Sequence, residues 1–237
     1  MNDDTGGTKE LYNDWHQGIA RQDGEDEASA PWHEMVKPHL GDLNGLKVLE
    51  IGCGRGGFSR YLHEQGADLV AADFSESAVA ITQRLLGDRP RCKVHTADIQ
   101  NIPYPEGEFD LVISLETLEH VPDPERALAE LVRVTRKGGK MIITTPNYFG
   151  GLGMYRTYRL LTRRSYTEVG QPVYTPVTLK DRVRSLKRLG CHIDVADGQG
   201  HYLYIPRRNP ARVRWLDNPR IIAKWFAAHS LTVATRV

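Results

Sequence analysis

Apolar positions along the chain follow two spacings. From residue 46 onward, short apolar runs typical of buried β-strands take turns with stretches whose apolar residues recur every three or four positions, as in helices. Strands are expected at 46–51, 68–72, 92–96, 109–115, 140–145, 191–196 and 230–236. Helices are expected to end near 65 and to span 76–86, 124–135 and 177–189, with the turn Lys137-Gly138-Gly139 before the fifth strand. This alternation predicts an α/β fold, a doubly wound Rossmann-like sheet that is mostly parallel, with helices on both faces.

The first 41 residues precede this alternation. Residues 9–22 predict a helix with Leu11, Trp15 and Ile19 at four-residue spacing, and a second apolar pattern ends at Gly41. These helices could cover the mouth of a ligand site or only pack against the sheet. We therefore divide the chain into an N-terminal helical cap, 1–41, and a main domain, 42–237, with a substrate-facing insertion at about 147–176.

The first predicted strand leads into a turn dense in glycine, Gly52 to Gly57. A Cβ atom would clash wherever a backbone curls tightly or lies against a ligand, and the helix that follows offers free N–H groups. Ligands of open α/β sheets bind at the carboxyl ends of the strands, where this turn lies. The spacing fits the G-x-G-x-x-G of dinucleotide enzymes too, with Asp73 about 20 residues further on.

Three further motifs narrow the choice of ligand. Glu50 completes the pattern E-x-G-x-G-x-G, Asp98 ends the third strand, and the fourth strand runs into E-H-V-P-D-P at 119–124. On these motifs, residues 45–147 resemble the class I S-adenosylmethionine-dependent methyltransferases, and among them the small-molecule O-methyltransferases of the ubiquinone-biosynthesis type. The resemblance implies S-adenosylmethionine as cofactor, in-line transfer of its methyl group to a small-molecule hydroxyl, and an antiparallel last strand.

The chemistry of this cofactor agrees with the residues at the matching positions. Asp73 can accept both ribose hydroxyls, and Asp98 with the N–H of Ile99 can pair the adenine edge. A glutamate at position 50 suits a cationic ligand better than a pyrophosphate, which it would repel. Glu50 could instead brace the turn, Asp98 could cap a turn, and Cys53 could fill buried space. The predicted cofactor-binding residues are Glu50, Gly52, Cys53, Gly54, Gly56, Asp73, Phe74, Asp98, Ile99 and Leu115.

On the acceptor side, the residue after the fourth strand that could act as a general base is His120. The ordinary pKa of histidine, about 6.5, suits proton transfer near neutral pH. We therefore predict His120 and Glu119 as catalytic residues, with Glu116 as a supporting polar group. The alternative is that His120 only shapes the turn before the helix that begins at Pro124.

Several other activities remain open at this stage. The segment 115–118 reads Leu-Glu-Thr-Leu, whereas nucleic-acid amino-methyltransferases carry an Asp/Asn-Pro-Pro-aromatic tetrad there, so a nucleic-acid partner is disfavoured. N- or C-methylation of a small molecule, methylation elsewhere on RNA, and non-catalytic cofactor binding stay as alternatives. A nicotinamide-dependent oxidoreductase is disfavoured by Glu50 and by the lack of a Tyr-x-x-x-Lys pair near the fifth strand.

Charge divides the chain into two halves. Residues 1–149 hold 15 Lys and Arg against 25 Asp and Glu, and residues 150–237 hold 16 against 5. The basic, aromatic segment 150–166 could be an interfacial helix in peripheral contact with a membrane, a lid over the acceptor, or an amphipathic helix with a solvated basic face. Residues of this half that could line the acceptor pocket are Tyr148, Tyr155, Tyr166, Tyr174, His201 and Tyr202.

Composition adds a prediction about location. The three cysteines lie far apart without a CxxC or Cys/His cluster, so we expect neither disulfides nor a metal site. No run approaches the roughly 20 apolar residues of a membrane span, and the polar start lacks the apolar core of a signal peptide. We therefore expect a cytoplasmic protein. The oligomeric state has no signature in the sequence.

Overall fold

A computed structural model describes residues 5–23, 31–147, 173, 175–199, 202–203, 211–212, 227 and 229–237. The strands are β1 (Lys47–Ile51), β2 (Asp68–Asp73), β3 (Cys92–Thr96), β4 (Phe109–Leu115), β5 (Thr135–Pro146), β6 (Cys191–Gln199), β7 (Tyr202–Leu203), β8 (Ala211–Arg212) and β9 (His229–Arg236). The helices are α1 (Thr5–Asp23), α2 (Pro31–Val36), α3 (Gly57–Glu64), α4 (Glu76–Leu86), α5 (Pro124–Val134) and α6 (Leu179–Arg188). Short 3-10 helices lie at Lys37–His39 and Leu118–His120.

Seven of these strands form one sheet in the order β3-β2-β1-β4-β5-β9-β6, and β7 pairs with β8 separately. Strands β1 to β5 are mutually parallel, and β9 runs antiparallel between β5 and β6. The predicted Rossmann-like fold with an antiparallel last strand is therefore confirmed. Because the first five strands are parallel, their carboxyl ends lie along a single edge of the sheet.

Apolar side chains cover both faces of the sheet, because successive residues of a strand point to opposite sides. On one face, strand residues such as Leu49 pack with residues of α5 and α6, including Leu128 and Leu186. On the other face, Val48 packs with Leu62 of α3, and α2 joins this second core. Burial on both sides explains the continuous apolar runs by which the strands were predicted.

The buried face of α1 differs from the predicted one. Leu11, a member of the predicted apolar stripe, is 56% exposed, whereas His16 is buried. The helix packs on α4 through polar contacts: Lys9 pairs with Glu76 at 2.6 Å, and the Gln17 amide donates to Ser77 Oγ at 3.0 Å. A pattern based on apolar residues cannot identify a helix face that is buried through polar residues.

The fifth strand is longer than predicted. It begins at Thr135, and its pairing with β4 shifts register between Phe109 and Leu111. The predicted turn at Lys137-Gly138-Gly139 is therefore wrong, since this segment is an irregular part of β5. Gly138 has φ +72°, and a Cβ on Gly139 would lie 2.9 Å from the carbonyl oxygen of Arg136. Glycine permits this irregularity without a separate turn.

Several predictions fall outside the described residues. They are most of the insertion at 147–176, the basic segment 150–166 and the residues Tyr148, Tyr155, Tyr166, Tyr174 and His201. The backbone of Tyr202 is described as part of β7, but its side chain is not. Among the described helices, none has both the length and the apolar character that crossing a membrane requires.

Candidate active site

The glycine turn after β1 lies at the carboxyl edge of the sheet and is tied to its neighbours. The N–H groups of Gly52 and Cys53 donate to the carbonyl of Ala72, at 2.8 and 3.0 Å. Gly52 has φ +81°, and a Cβ there would lie 2.2 Å from Thr117 Oγ1. Only glycine satisfies both the left-handed backbone and this close approach. The turn is thus packed against the segment that follows β4.

Glu50 lies behind the glycine turn. Its side chain is buried, and its Oε2 accepts a short hydrogen bond from Ser59 Oγ of α3. This contact joins the end of β1 to α3, so Glu50 braces the turn between them, as one of the two interpretations of the sequence expects. The carboxylate also acts electrostatically on Cys53 at the centre of the turn. A role of Glu50 toward the cofactor stays a prediction.

Asp73 ends β2 beside the turn. Its Oδ2 accepts the N–H of Gly54 at 2.9 Å, and its Oδ1 accepts the N–H of Ser75 at 2.8 Å. Each carboxylate oxygen has a second acceptor position, so both can still take a hydroxyl. Ser75 in turn caps α4, as its Oγ accepts the N–H of Ala78 at 3.2 Å. Asp73 is thereby held rigidly at the edge where a ribose would lie.

The other predicted cofactor residues surround the same edge. Phe74 is half-buried, and Ile99 and Leu115 are buried in the two cores. Asp98 Oδ1 accepts the N–H of Gln100 at 2.8 Å, so this carboxylate does cap its turn. Burial raises the pKa of the Cys53 thiol well above its usual range, as do the charges of Asp73 and Glu50. Cys53 is accordingly a protonated, space-filling side chain.

Helix α1 contributes residues that the sequence analysis missed. Asn13 Oδ1 accepts from Ser75 Oγ at 2.8 Å and from the N–H of Ser77 at 3.2 Å. His16 is buried, and its Cε1 lies 4.0 Å from the position of a Cβ on Gly54. Burial lowers the pKa of His16, although the charge of Asp73 opposes this shift. The helix therefore lies over the glycine turn and the end of β2.

Tyr12 connects α1 to the segment after β4. Its hydroxyl donates to the carbonyl of His120 at 3.3 Å, and the two rings meet edge to face with centroids 6.4 Å apart. Burial raises the pKa of Tyr12, so the phenol stays protonated. The four-residue spacing of Tyr12 and His16 is the sequence signal that could have identified this face.

His120 and Glu119, the predicted catalytic pair, lie in the 3-10 helix after β4. His120 Nδ1 is 3.1 Å from the carbonyl of Val173, and its Nε2 is 3.5 Å from Glu119 Oε1. The N–H of Thr175 donates to the carbonyl of Glu119 at 2.6 Å. Burial lowers the pKa of His120, whereas the Val173 carbonyl opposes this shift. The structure thus brings both residues to the carboxyl edge, and their catalytic role stays a prediction.

A second imidazole–carboxylate pair lies at the same edge. His229 Nδ1 is 2.9 Å from Glu116 Oε2, and the His229 ring lies 5.3 Å from the ring of Trp32 in α2. The sequence analysis named Glu116 but missed His229. Its position immediately before the last predicted strand was the available signal, since an antiparallel strand begins at the carboxyl edge of its parallel neighbours.

A buried guanidinium lies beneath this edge. Arg182 of α6 is fully buried and donates to Thr145 Oγ1 at 2.6 Å, Thr232 Oγ1 at 2.9 Å and Ser230 Oγ at 3.0 Å. Burial lowers its pKa to about 10, against the charges of Glu116 and Glu119. The residue is therefore a cation that offsets the charges of Glu116 and Glu119 from below.

These observations permit a test of whether S-adenosylmethionine fits. The turn is flanked by two carboxylates, Glu50 and Asp73, both of which act on Cys53. Such a site would repel a pyrophosphate and attracts a cation with an ammonium and a sulfonium group. Asp73 presents acceptors at the strand end where the ribose of a bound nucleoside lies. The residues present therefore fit the cofactor.

Comparison with known proteins identifies the central part of the chain. Residues 49–143 match the family described as a methyltransferase domain. The match includes the glycine turn and Asp73. Over 112 residues the chain is 33% identical to the demethylmenaquinone methyltransferase of Renibacterium salmoninarum, which covers 47% of this chain and 46% of that protein. Over 135 residues it is 33% identical to the ubiquinone biosynthesis O-methyltransferase of Aromatoleum aromaticum, covering 54% and 58%. The chain thus spans about half the length of these curated relatives.

Solved structures extend the likeness of the methyltransferase domain to the whole fold. Magnesium protoporphyrin IX methyltransferase from Synechocystis PCC 6803, solved with bound S-adenosylhomocysteine, superposes with a TM-score of 0.65 at 18% identity, covering 97% of this chain and 98% of that one. At this identity the likeness establishes the fold. The domain match and the shared fold both support the predicted class, the class I S-adenosylmethionine-dependent methyltransferases, and the predicted cofactor.

Proposed function

We propose that this protein transfers the methyl group of S-adenosylmethionine to a hydroxyl group of a small molecule. The observation that carries the proposal is Asp73, a carboxylate fixed by the N–H groups of Gly54 and Ser75 at the end of β2, inside a methyltransferase domain. The likeness of the chain to a protein named as a ubiquinone biosynthesis O-methyltransferase supports oxygen as the nucleophile.

By this proposal, Asp73 accepts the ribose hydroxyls of the cofactor, and Asp98 with the N–H of Ile99 pairs the adenine edge. The backbone at Gly52 and Gly54 receives the amino-acid tail, with Glu50 behind it. Phe74 and Leu115 provide apolar contact. When bound, S-adenosylmethionine supplies an electrophilic methyl group on a sulfonium sulfur.

The elements around the turn orient the acceptor and exclude water, by this proposal. Residues 1–41 act as a cap, because α1 contacts the segments that follow β2 and β4. Asn13 accepts a hydrogen bond from Ser75, and Tyr12 donates one to the carbonyl of His120. Residues 147–176 form the acceptor-facing insertion of the main domain. His120 and Glu119 border the acceptor side. In a displacement at carbon, an enzyme accelerates the reaction mainly by holding the nucleophile, the methyl carbon and the leaving group in line.

Methylation of nitrogen or carbon in a small molecule is the second proposal, and the likeness to a protein named as a sarcosine/dimethylglycine N-methyltransferase supports nitrogen. Both proposals place the protein among biosynthetic methyltransferases that act on small molecules, and a cytoplasmic location stays a prediction.

The proposal is tested with S-adenosylmethionine labelled in its methyl group and four acceptors: a catechol, sarcosine, a hydroquinone with an unsubstituted ring carbon, and an RNA of mixed sequence. We expect labelled methyl ether from a hydroxyl acceptor and no labelled RNA. Label found only on the sarcosine nitrogen or on ring carbon would replace this proposal by the second one. Label found only in RNA would contradict both.

A further inference from the structure

Glu116 has features that packing of the sheet does not require. It directly follows β4 with φ +49°, in the left-handed region that side chains other than glycine rarely adopt. Its N–H nevertheless donates to Thr144 of β5 at 3.1 Å, so this backbone is held firmly. Non-glycine residues held in such conformations cluster at functional sites.

The carboxylate of Glu116 is also held in a fixed position and largely shielded from solvent. Its Oε2 lies 2.9 Å from His229 Nδ1, and the two side chains are only 12% and 15% exposed. Its Oε1 is buried and has no hydrogen-bond partner among the described residues. A buried acceptor without a hydrogen-bond partner destabilises the protein when no ligand is bound. This points to a donor group that a ligand brings to Oε1.

The contact with Glu116 determines the tautomer of the His229 ring. An ionised carboxylate only accepts hydrogen bonds, so Nδ1 carries the proton. In neutral imidazole Nε2 is then the basic nitrogen. His229 pairs with Pro146 in the β5–β9 ladder, which places it at the carboxyl edge of the parallel strands. The edge where a proton must be removed therefore holds an oriented base.

The arrangement around His120 differs at Nε2. Its Nδ1 likewise faces an acceptor, the carbonyl of Val173, but its Nε2 lies 3.5 Å from Glu119 Oε1, and its backbone carbonyl accepts from Tyr12. The 3-10 helix that carries it is tied to Thr175. These contacts suit a residue that fastens the 173–175 segment to the site.

We propose that His229, oriented by Glu116, is the general base that takes the proton of the acceptor hydroxyl. This inference rests on the proposed O-methyl transfer. As the acceptor oxygen bonds to the methyl carbon, the carbon–sulfur bond breaks with its electron pair left on sulfur. The hydroxyl proton passes to His229 Nε2, and the resulting imidazolium is stabilised by Glu116. Glu116 is thus a positioning residue.

The ionisable groups around this pair support its charge. Glu116 comes from the end of β4, His33 faces it from α2, and Arg182 lies below it on α6. Glu119 and His120 lie on the neighbouring 3-10 helix. The charge of Glu116 acts to raise the pKa of His120, against the larger effect of burial. Arg182 and Glu116 interact electrostatically, and the protonation of His229 adds a second positive charge next to that carboxylate.

One test measures ionisation directly. The probe is 4-nitrocatechol, whose absorbance shifts when it loses a proton, added to the full chain saturated with S-adenosylhomocysteine. We expect the wild type to bind the probe as its anion and His229→Asn to bind it as the neutral catechol. The asparagine amide keeps a donor for Glu116 but cannot take a proton. His192→Asn is the matched control, because His192 also lies near a carboxylate, Asp194 at 3.7 Å, but is 71% exposed.

Turnover of a catechol with S-adenosylmethionine gives a second readout. We expect His229→Asn to lower kcat about 100-fold or more, the range for loss of a general base, with the KM for S-adenosylmethionine unchanged. Glu116→Gln keeps an acceptor for Nδ1 but lacks the charge, and we expect a smaller loss of kcat. His192→Asn should match the wild type in both assays.

The outcomes separate this inference from the function on which it rests. Unchanged kcat and probe ionisation in His229→Asn would overturn the role of His229, and their loss in His120→Asn alone would assign the base to His120. Failure of the wild type to bind S-adenosylhomocysteine, or label on nitrogen only, would contradict the proposed function instead. If His229→Asn does not fold, Glu116→Gln decides: an unchanged kcat in that variant overturns the pairing.

Discussion

At the scale of single residues, buried ionisable side chains are concentrated at one edge of the sheet. Asp73, Glu116, Glu119, His120 and Arg182 are all buried or nearly so at the carboxyl ends of the parallel strands or directly beneath them. Burial of charge is unfavourable unless the charge is compensated. The hydroxyls around Arg182 and the backbone N–H groups on Asp73 provide part of that compensation. Such a concentration is typical of a functional site.

His33 makes stability depend on pH. Burial against Phe58, with the nearby charge of Lys37, lowers its pKa to about 4 from an ordinary 6.5. Above pH 6.5 the ring is neutral in both the folded and the unfolded protein. As pH falls from 6.5 to 4, the unfolded chain takes up a proton that the folded protein does not, so stability is lost. The loss is at most about 3 kcal/mol.

We expect His33→Gln to reduce this loss. Urea unfolding at pH 7 and pH 4.5 measures the difference in the free energy of unfolding between the two conditions. That difference should be smaller in His33→Gln than in the wild type, and unchanged in His192→Gln, whose side chain is 71% exposed in the wild type. An equal pH dependence in His33→Gln and the wild type would mean that His33 titrates normally in the folded protein.

The residues that could be predicted from the sequence are those in local motifs. Glu50, Gly52, Gly54 and Asp73 lie within one strand-turn-helix unit and the strand after it, so their spacing alone indicated a shared location. His229 lies 113 positions from its partner Glu116. Only the pairing of β9 beside β5 brings them together, and pairing between distant strands has no local signature in a single sequence.

At the scale of elements, helix α1 is hydrogen-bonded to the segment that joins β2 to α4. Asn13 accepts hydrogen bonds from Ser75 Oγ and from the N–H of Ser77 at the start of α4. Ser75 also donates its N–H to Asp73, so one short segment connects α1 with the carboxylate that we propose as the ribose acceptor. The position of α1 should therefore affect affinity for the cofactor.

We expect Asn13→Ala to weaken binding of S-adenosylhomocysteine by about tenfold, as loss of two hydrogen bonds of about 1 kcal/mol each allows. Calorimetry measures the affinity, and hydrogen exchange measures opening of α1. The thermal stability of the main domain should change little. Leu11→Ala is the control on the same helix, since Leu11 is 56% exposed. Equal affinities for both variants and the wild type would show that α1 packs on α4 without acting on the site.

The elements of the main domain were predictable because their apolar patterns are strong. The bounds of α4, β3 and β4 agree with the sequence prediction, and those of the other elements of the seven-stranded sheet and its helices differ mainly at their ends, whereas the short strands β7 and β8 were not predicted. The exceptions have physical causes. Thr135 to Gly139 joins β5 because two glycines permit an irregular ladder, and α1 buries polar residues that an apolar pattern does not detect.

At the scale of the whole molecule, the two halves of opposite charge meet at the site. The acidic half provides the turn, Asp73, Glu116 and Glu119, and the basic half provides Arg182 and His229. Strand β9 of the basic half pairs with β5 of the acidic half. The charge asymmetry therefore corresponds in part to compensation across the centre of the fold. The basic segment 150–166 lies outside the described residues, so its contact with a membrane, an acceptor or solvent stays a prediction.

The most direct test of the central claim is titration calorimetry of the purified protein with S-adenosylhomocysteine, beside NADH and with Asp73→Asn as the paired variant. We expect the wild type to bind S-adenosylhomocysteine and not NADH. Asp73→Asn should bind it about 100-fold more weakly, because charge-assisted hydrogen bonds to two hydroxyls are weakened, while the surface variant Asp88→Asn should match the wild type. Binding of NADH alone, or equal affinity of Asp73→Asn and the wild type for S-adenosylhomocysteine, would contradict the assignment of this site.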